Sequence, residues 1–171
     1  MTKPDFANVP SFYRGYVENV KDMDVIEALM QSSKVALNVF RNIPEDMGEY
    51  RYAEGKWSIK ELLNHMIDAE RIFAYRALRF SRNDKTNLPG FEENDYAPQA
   101  NAHGRSVVQL ADEMERLRLT TIDLYRSFTT QMLKREGQAN NNKVSVLNLG
   151  YIIAGHETHH RKVVVERYLK Q

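Results

Sequence analysis

Cysteine is absent from the 171-residue chain. That excludes disulfides, thiolate metal ligands and a cysteine nucleophile, so any reactive site must be built from nitrogen and oxygen donors. No stretch approaches the roughly 18 consecutive apolar residues that a membrane span needs, and the leading MTKPDFANVP lacks the apolar core of a signal peptide. The expectation is a soluble, cytoplasmic protein with no membrane partner. An excess of either charge is missing as well: 24 Lys and Arg stand against 23 Asp and Glu, a net charge of +1. The signs are interleaved, as in EMERLRL, which describes a solvated mixed face and not a stripe that tracks phosphates. No nucleic-acid partner is therefore expected. With 42% hydrophobic residues, a single domain spanning residues 1–171 can bury a core without covalent or metal staples.

What remains is helical periodicity. Four segments repeat apolar residues at helical spacing with no strand-like alternation competing, and all five prolines lie outside them. The first helix is predicted over residues 24–40, with Asp24 and Glu27 as a capping pair and Val25, Ala28, Leu29, Ser32, Ala36 and Val39 on one face. The second, residues 58–82, has the sharpest start: Ser58 caps it, Glu61 reaches back, and Trp57 is placed to staple against Leu62. Ser106 and Gln109 open a third over residues 106–135, and the fourth covers residues 145–169. The connection over residues 83–105, with Leu88, Phe91 and Tyr96, is long enough to be a crossover or a packed lid. The fold class is all-α: a four-helix bundle with a long crossover loop between its second and third helices.

The fourth helix contains GHETHH, three of the five histidines in six positions. His156 and His160 fall about 40° apart on a helical projection, inside the apolar arc of Leu149, Ile152, Ile153, Val163 and Val164. An i, i+4 pair places two imidazoles where one ion can bridge them, and aliphatic neighbours offer them no hydrogen bonds. A third ligand must come from another helix. His65, at the edge of the second helix's apolar stripe, is the candidate. A metal set of His65, His156 and His160 suits Zn²⁺, Ni²⁺ or another borderline divalent ion, with a position left open for water or substrate. Glu157 and His159 flank the pair and are candidate acid–base groups, with Tyr50 or Tyr52 as further ones. His103, next to Gly104, reads as solvated. Glu70 lies in an apolar arc about 140° from His65, so a partner such as Arg118 or Tyr125 is expected. Gly150 and Gly155 lower helix propensity, which points to close contacts there.

KWSIKELLNHMIDAER, LPGF and GHETHHRKVVVERYL together resemble the DinB/YfiT-like superfamily of bacterial metal-binding four-helix bundles, over roughly residues 20–170. The family carries one histidine early in helix two and H-x-x-x-H in helix four, and His65, His156 and His160 match those positions. His159 is a departure, since it opens an i, i+3 alternative with His156. The resemblance implies a nickel, zinc or similar ion, a homodimer and a down-down-up-up style of bundle. Characterised members include transferases and isomerases that use low-molecular-weight thiols such as bacillithiol or mycothiol, and others carry the name of metal-dependent hydrolases. The expected function is a divalent-metal-dependent enzyme that activates a small thiol or water for attack on a small electrophile, thiol transfer leading and hydrolysis following. The rival is a non-enzymatic metal-binding stress-response protein whose ion only stiffens the bundle.

Overall fold

The computed structural model describes residues 2–170; Met1 and Gln171, the ends of the expected domain, lie outside the described residues. After two 3-10 turns comes a five-residue helix, α1 (Arg14–Glu18). It is too short to show a periodic pattern, which is why sequence reading passes over it. The long helices begin where their caps dictate. The Asp24 carboxylate accepts the Ile26 amide at the head of α2 (Val25–Phe40), though Glu27 does not complete the expected box. Ser58 and Glu61 close a reciprocal box on α3 (Ile59–Ser81), as expected. A short α4 (Glu93–Tyr96) interrupts the long connection, and Ser106 with Gln109 closes the second box, on α5 (Val107–Arg126).

Three departures from the expected boundaries follow. The third long helix stops at Arg126 and not near residue 135, because Thr129 caps a new turn, α6 (Thr130–Leu133), by accepting the Met132 amide. The break read at EGQANNNK is an antiparallel hairpin of β1 (Glu136–Ala139) and β2 (Asn142–Ser145), turned by Asn140 and Asn141 at φ 49° and 59°. Asparagine tolerates that left-handed region, which such tight hairpin turns require. The last helix, α7 (Val146–Val163), begins on Ser145 as expected but widens into a π-helical turn over Val164–Tyr168. There the Tyr168 hydroxyl donates to the Trp57 carbonyl at 2.8 Å.

Around the bundle the order is α2, α7, α3, α5, so α2 and α3 stand across one diagonal and α5 and α7 across the other. Side-chain links give the directions. Asn64, near the start of α3, pairs with Arg105 just before α5, while Glu70 and Arg71 further along α3 pair with Arg118 and Glu113 inside α5, so these neighbours are parallel. Val25 meets Gly150, while Leu29 and Glu157 share Arg118, so α2 and α7 are parallel too. α3 and α7 are antiparallel, Trp57 meeting Tyr168 while His65 meets His156. In chain order the directions are thus up, down, down, up, in place of the down-down-up-up implied by the resemblance. Parallel neighbours cannot be joined by a tight turn, which is why the chain needs a long crossover between α3 and α5.

The core is divided by a polar layer at one level. Below it pack Phe40, Leu63, Ile67, Leu110 and Val164; above it pack Leu29, Phe73, Phe80, Leu149 and Ile152. Each long helix contributes to the layer where its residues switch from one cluster to the other: Ser32, Glu70, Arg118, and His156 with Glu157. Among the described residues, no helix is long and apolar enough to cross a membrane.

Candidate metal centre

His65 comes from the second turn of α3, and His156 and His160 from successive turns of α7. Antiparallel packing of the two helices brings the three rings together edge to face. His156 Nε2 lies 3.1 Å from His65 Nε2 and 3.0 Å from His160 Nε2. One ligand atom from each ring falls within 4.8 Å of the other two. Burial pulls His65 down from 6.5 to about 4. His156 and His160 are pushed well below 6.5, first by burial and then by neighbouring imidazoles. All three are neutral near pH 7, the form in which imidazole offers a lone pair to a metal.

The donor set itself tests the fit of a metal. A neutral imidazole has one N–H and one lone pair. His156 Nε2, with one or the other, cannot serve two Nε2 contacts well, whereas one cation accepts a lone pair from each ring. Three imidazoles without thiolate or carboxylate match a borderline divalent ion and not a hard, oxygen-seeking one. The residues fit such an ion. His160 Nδ1 is buried without a hydrogen-bond partner among the described residues, so nothing in the protein draws the ring away from presenting Nε2.

A cavity of about 350 Å³ opens beside the three rings. Its walls include Tyr13 and Tyr16 from the N-terminal segment, Phe73 and Arg76 from α3, and Phe91 and Glu93 from the crossover. Two backbone contacts hold these walls in place. Leu88 docks on the hairpin, its amide donating to the Gln138 carbonyl and its carbonyl accepting from Asn140, both at 2.9 Å, which carries Gly90 and Phe91 to the cavity. On the other side, a Cβ at Gly155 would stand 2.1 Å from the Tyr16 carbonyl oxygen. Glycine there lets α1 lie directly on α7, with the Tyr16 ring 5.3 Å from that of His156. Gly150 likewise meets Val25 and Tyr125, so both glycines mark close contacts as expected.

The remaining candidates are distributed differently. Glu157, expected as an acid–base group, is absent from the cavity wall, and its carboxylate accepts from Arg118 Nη1 at 2.7 Å. Arg118 also binds Glu70 through Nε at 2.9 Å and Nη2 at 2.8 Å, which supplies the partner expected for Glu70. Tyr125 is not that partner, since its hydroxyl donates to the Val146 carbonyl. His159 stands outside the ligand cluster and the cavity wall, its ring 5.0 Å from Tyr16, so the i, i+4 pair and not the i, i+3 pair faces His65. Tyr50 and Tyr52 pack on Tyr168 and do not reach the cavity. His103 is exposed but lies 2.5 Å from Glu49. Arg76 and Glu93 escaped sequence reading. Arg76 had a signal, because eleven residues after His65 it returns to within about 20° of the same helix face.

The model of the DinB superfamily matches residues 28–164. A protein of Oceanobacillus iheyensis named "Putative metal-dependent hydrolase" is 29% identical over 118 residues, covering 64% of this chain and 63% of that relative's length. Among solved structures, YfiT from Bacillus subtilis, described as a probable metal-dependent hydrolase with an unusual four-helix bundle topology, superposes with a TM-score of 0.68. It covers 96% of this chain and 90% of YfiT at 16% identity, a level that speaks to the fold alone.

Proposed function

The chain belongs to the DinB superfamily, and from that premise we propose that it is a divalent-metal-dependent enzyme in which His65, His156 and His160 hold a zinc or nickel ion. One observation carries the reading: three neutral imidazoles, with their ligand atoms within 4.8 Å of one another, at the wall of a cavity sized for a small molecule. When bound, such an ion lowers the pKa of a water molecule or a small thiol by several units and so supplies a nucleophile near neutral pH. The chain's own residues shape the surroundings. Trp57, at 4.7 Å from the His65 ring, and Tyr16 and Phe73 beside His156 keep the ligands in an apolar shell and hold the rings in place.

Transfer of a low-molecular-weight thiol to a small electrophile is the leading reaction. With Glu157 engaged by Arg118 and His159 outside the cavity, no carboxylate or spare imidazole among the described residues flanks the three ligands to carry a proton; Glu93, beside Tyr13 and Tyr16, is the one carboxylate that the described residues place in the wall. A thiol that ionises near neutral pH needs no separate base, and since the chain has no cysteine that thiol enters as a substrate. Hydrolysis is the second reading, supported by the names of the two relatives.

Metal analysis of the purified protein beside His65→Ala, His156→Ala and His160→Ala is the direct test. About one divalent equivalent per chain is expected in the parent, with loss in each variant; unchanged metal in all three would overturn the assignment. Conjugation of small thiols to an electrophile should then require restored Zn²⁺ or Ni²⁺, and activity indifferent to chelation would remove the reaction. The apolar clusters close around the bundle without an ion, so chelated protein should stay folded by circular dichroism. Unfolding on chelation would favour a purely structural ion.

A further inference from the structure

Two arginines are deeply buried, and they are treated in opposite ways. Arg118 is surrounded by two carboxylates. Arg76, 4% exposed, has no carboxylate partner among the described residues: Nη2 donates to the Pro89 carbonyl at 2.8 Å, and the Tyr13 side chain is its other polar neighbour. Guanidinium does not shed its proton, and a buried charge without a counter-charge is costly unless something else supplies one. Arg76 lines the cavity beside the three histidines.

We propose that Arg76 is a substrate-recognition residue and that the cavity takes a small carboxylate with an apolar or aromatic body. The head group pairs with the guanidinium donors that Pro89 leaves free, an arrangement suited to the planar fork of arginine. The body lies along Phe73, whose ring is 5.8 Å from Arg76 Cζ and 6.1 Å from the His156 ring, so a ligand anchored on Arg76 extends toward the histidines. One guanidinium matches one negative charge, and Glu93 in the same wall disfavours a dianion such as a phosphate ester. What happens at the far end of this ligand rests on the metal-dependent reading above; recognition of the carboxylate does not.

Trp57, the single tryptophan, lines the cavity and reports on occupancy. Chelator-treated protein is titrated with phenylacetate and with its neutral analogue phenylacetamide, following Trp57 emission, and the titrations are repeated after Zn²⁺ is restored. Phenylacetate should bind saturably and roughly 10- to 100-fold more tightly than the amide without metal, the range for hydrogen bonds to a charged group. Arg76→Gln should abolish that preference while still binding the amide. Arg76→Lys, which keeps the charge, should retain part of it and guards against a folding defect. His65→Ala should lose metal yet keep the preference, so failure of the metal reading and failure of this one are separable. Equal affinities, no saturable phenylacetate binding, an undiminished preference in Arg76→Gln, or a preference seen only after Zn²⁺ is restored would overturn the proposal.

Discussion

Replacing Arg118 by methionine tests the polar layer that crosses the bundle at the level of His156. The guanidinium is 2% exposed and donates to Glu70, Glu157, the Ser32 hydroxyl at 2.9 Å and the Leu29 carbonyl at 2.8 Å. Methionine fills most of the space but leaves two buried carboxylates without a cation. Removing one partner of a buried pair costs about 3–5 kcal/mol. Two carboxylates are orphaned here, so the upper part of that range is expected at pH 7.5, a large share of the roughly 5–15 kcal/mol that holds a domain folded. The loss should also depend on pH. Burial already raises Glu157 above the usual carboxylate range, against the opposing pull of Arg118. Without the guanidinium it rises further, so the folded variant binds a proton that the unfolded chain has released. Stability then falls as pH rises through that window and recovers on acidification. Urea unfolding followed by circular dichroism at pH 7.5 and pH 5 measures both effects. Adding Glu70→Gln and Glu157→Gln to Arg118→Met should restore much of the loss, because neutral amides replace the unpaired charges. A variant within about 1 kcal/mol of the parent at pH 7.5, below the range for breaking a buried pair, or an equal deficit at both pH values, would refute the reasoning.

Two further outcomes follow from the geometry. Chelator-treated protein should weaken as pH falls from 6.5 toward 4, because His65 (about 4 when folded), His156 and His160 bind protons in this range chiefly on unfolding; His65 alone corresponds to about 3 kcal/mol by the low end. Urea midpoints unchanged between pH 7 and pH 5 would contradict a neutral buried set. Gly155→Ala gains up to about 1 kcal/mol of helix propensity but drives a Cβ into the Tyr16 carbonyl, an overpacking cost of about 1–3 kcal/mol. A lowered melting temperature together with weaker metal retention is expected, and a stabilised variant would show that α1 can move aside freely.

Much of the candidate centre was legible in the chain. The reciprocal boxes at Ser58 with Glu61 and Ser106 with Gln109 announced two helix starts, since capping involves residues only three apart. His156 and His160 declared themselves as a pair because i, i+4 spacing is a property of one helix. The left-handed Asn140–Asn141 turn left only a weak local mark, and the early end of α5 was hidden by an apolar pattern that runs on through Phe128.

Which way flanking side chains turn was not legible in the same manner. Glu157 and His159 lie close after His156 in sequence, yet Arg118 of α5 holds the first and Tyr16 of the N-terminal segment packs against the second. By itself, the sequence determined the four long helices, their apolar faces and the three histidines able to meet on them, because those follow from spacing within single segments. Only the tertiary structure decided that α3 and α7 lie antiparallel with their histidines in register, that the crossover and α1 close a cavity over them, and that Arg76 enters that cavity without a carboxylate partner among the described residues. Those outcomes depend on contacts between segments far apart in the chain, where helical periodicity says which face is buried but not what it is buried against.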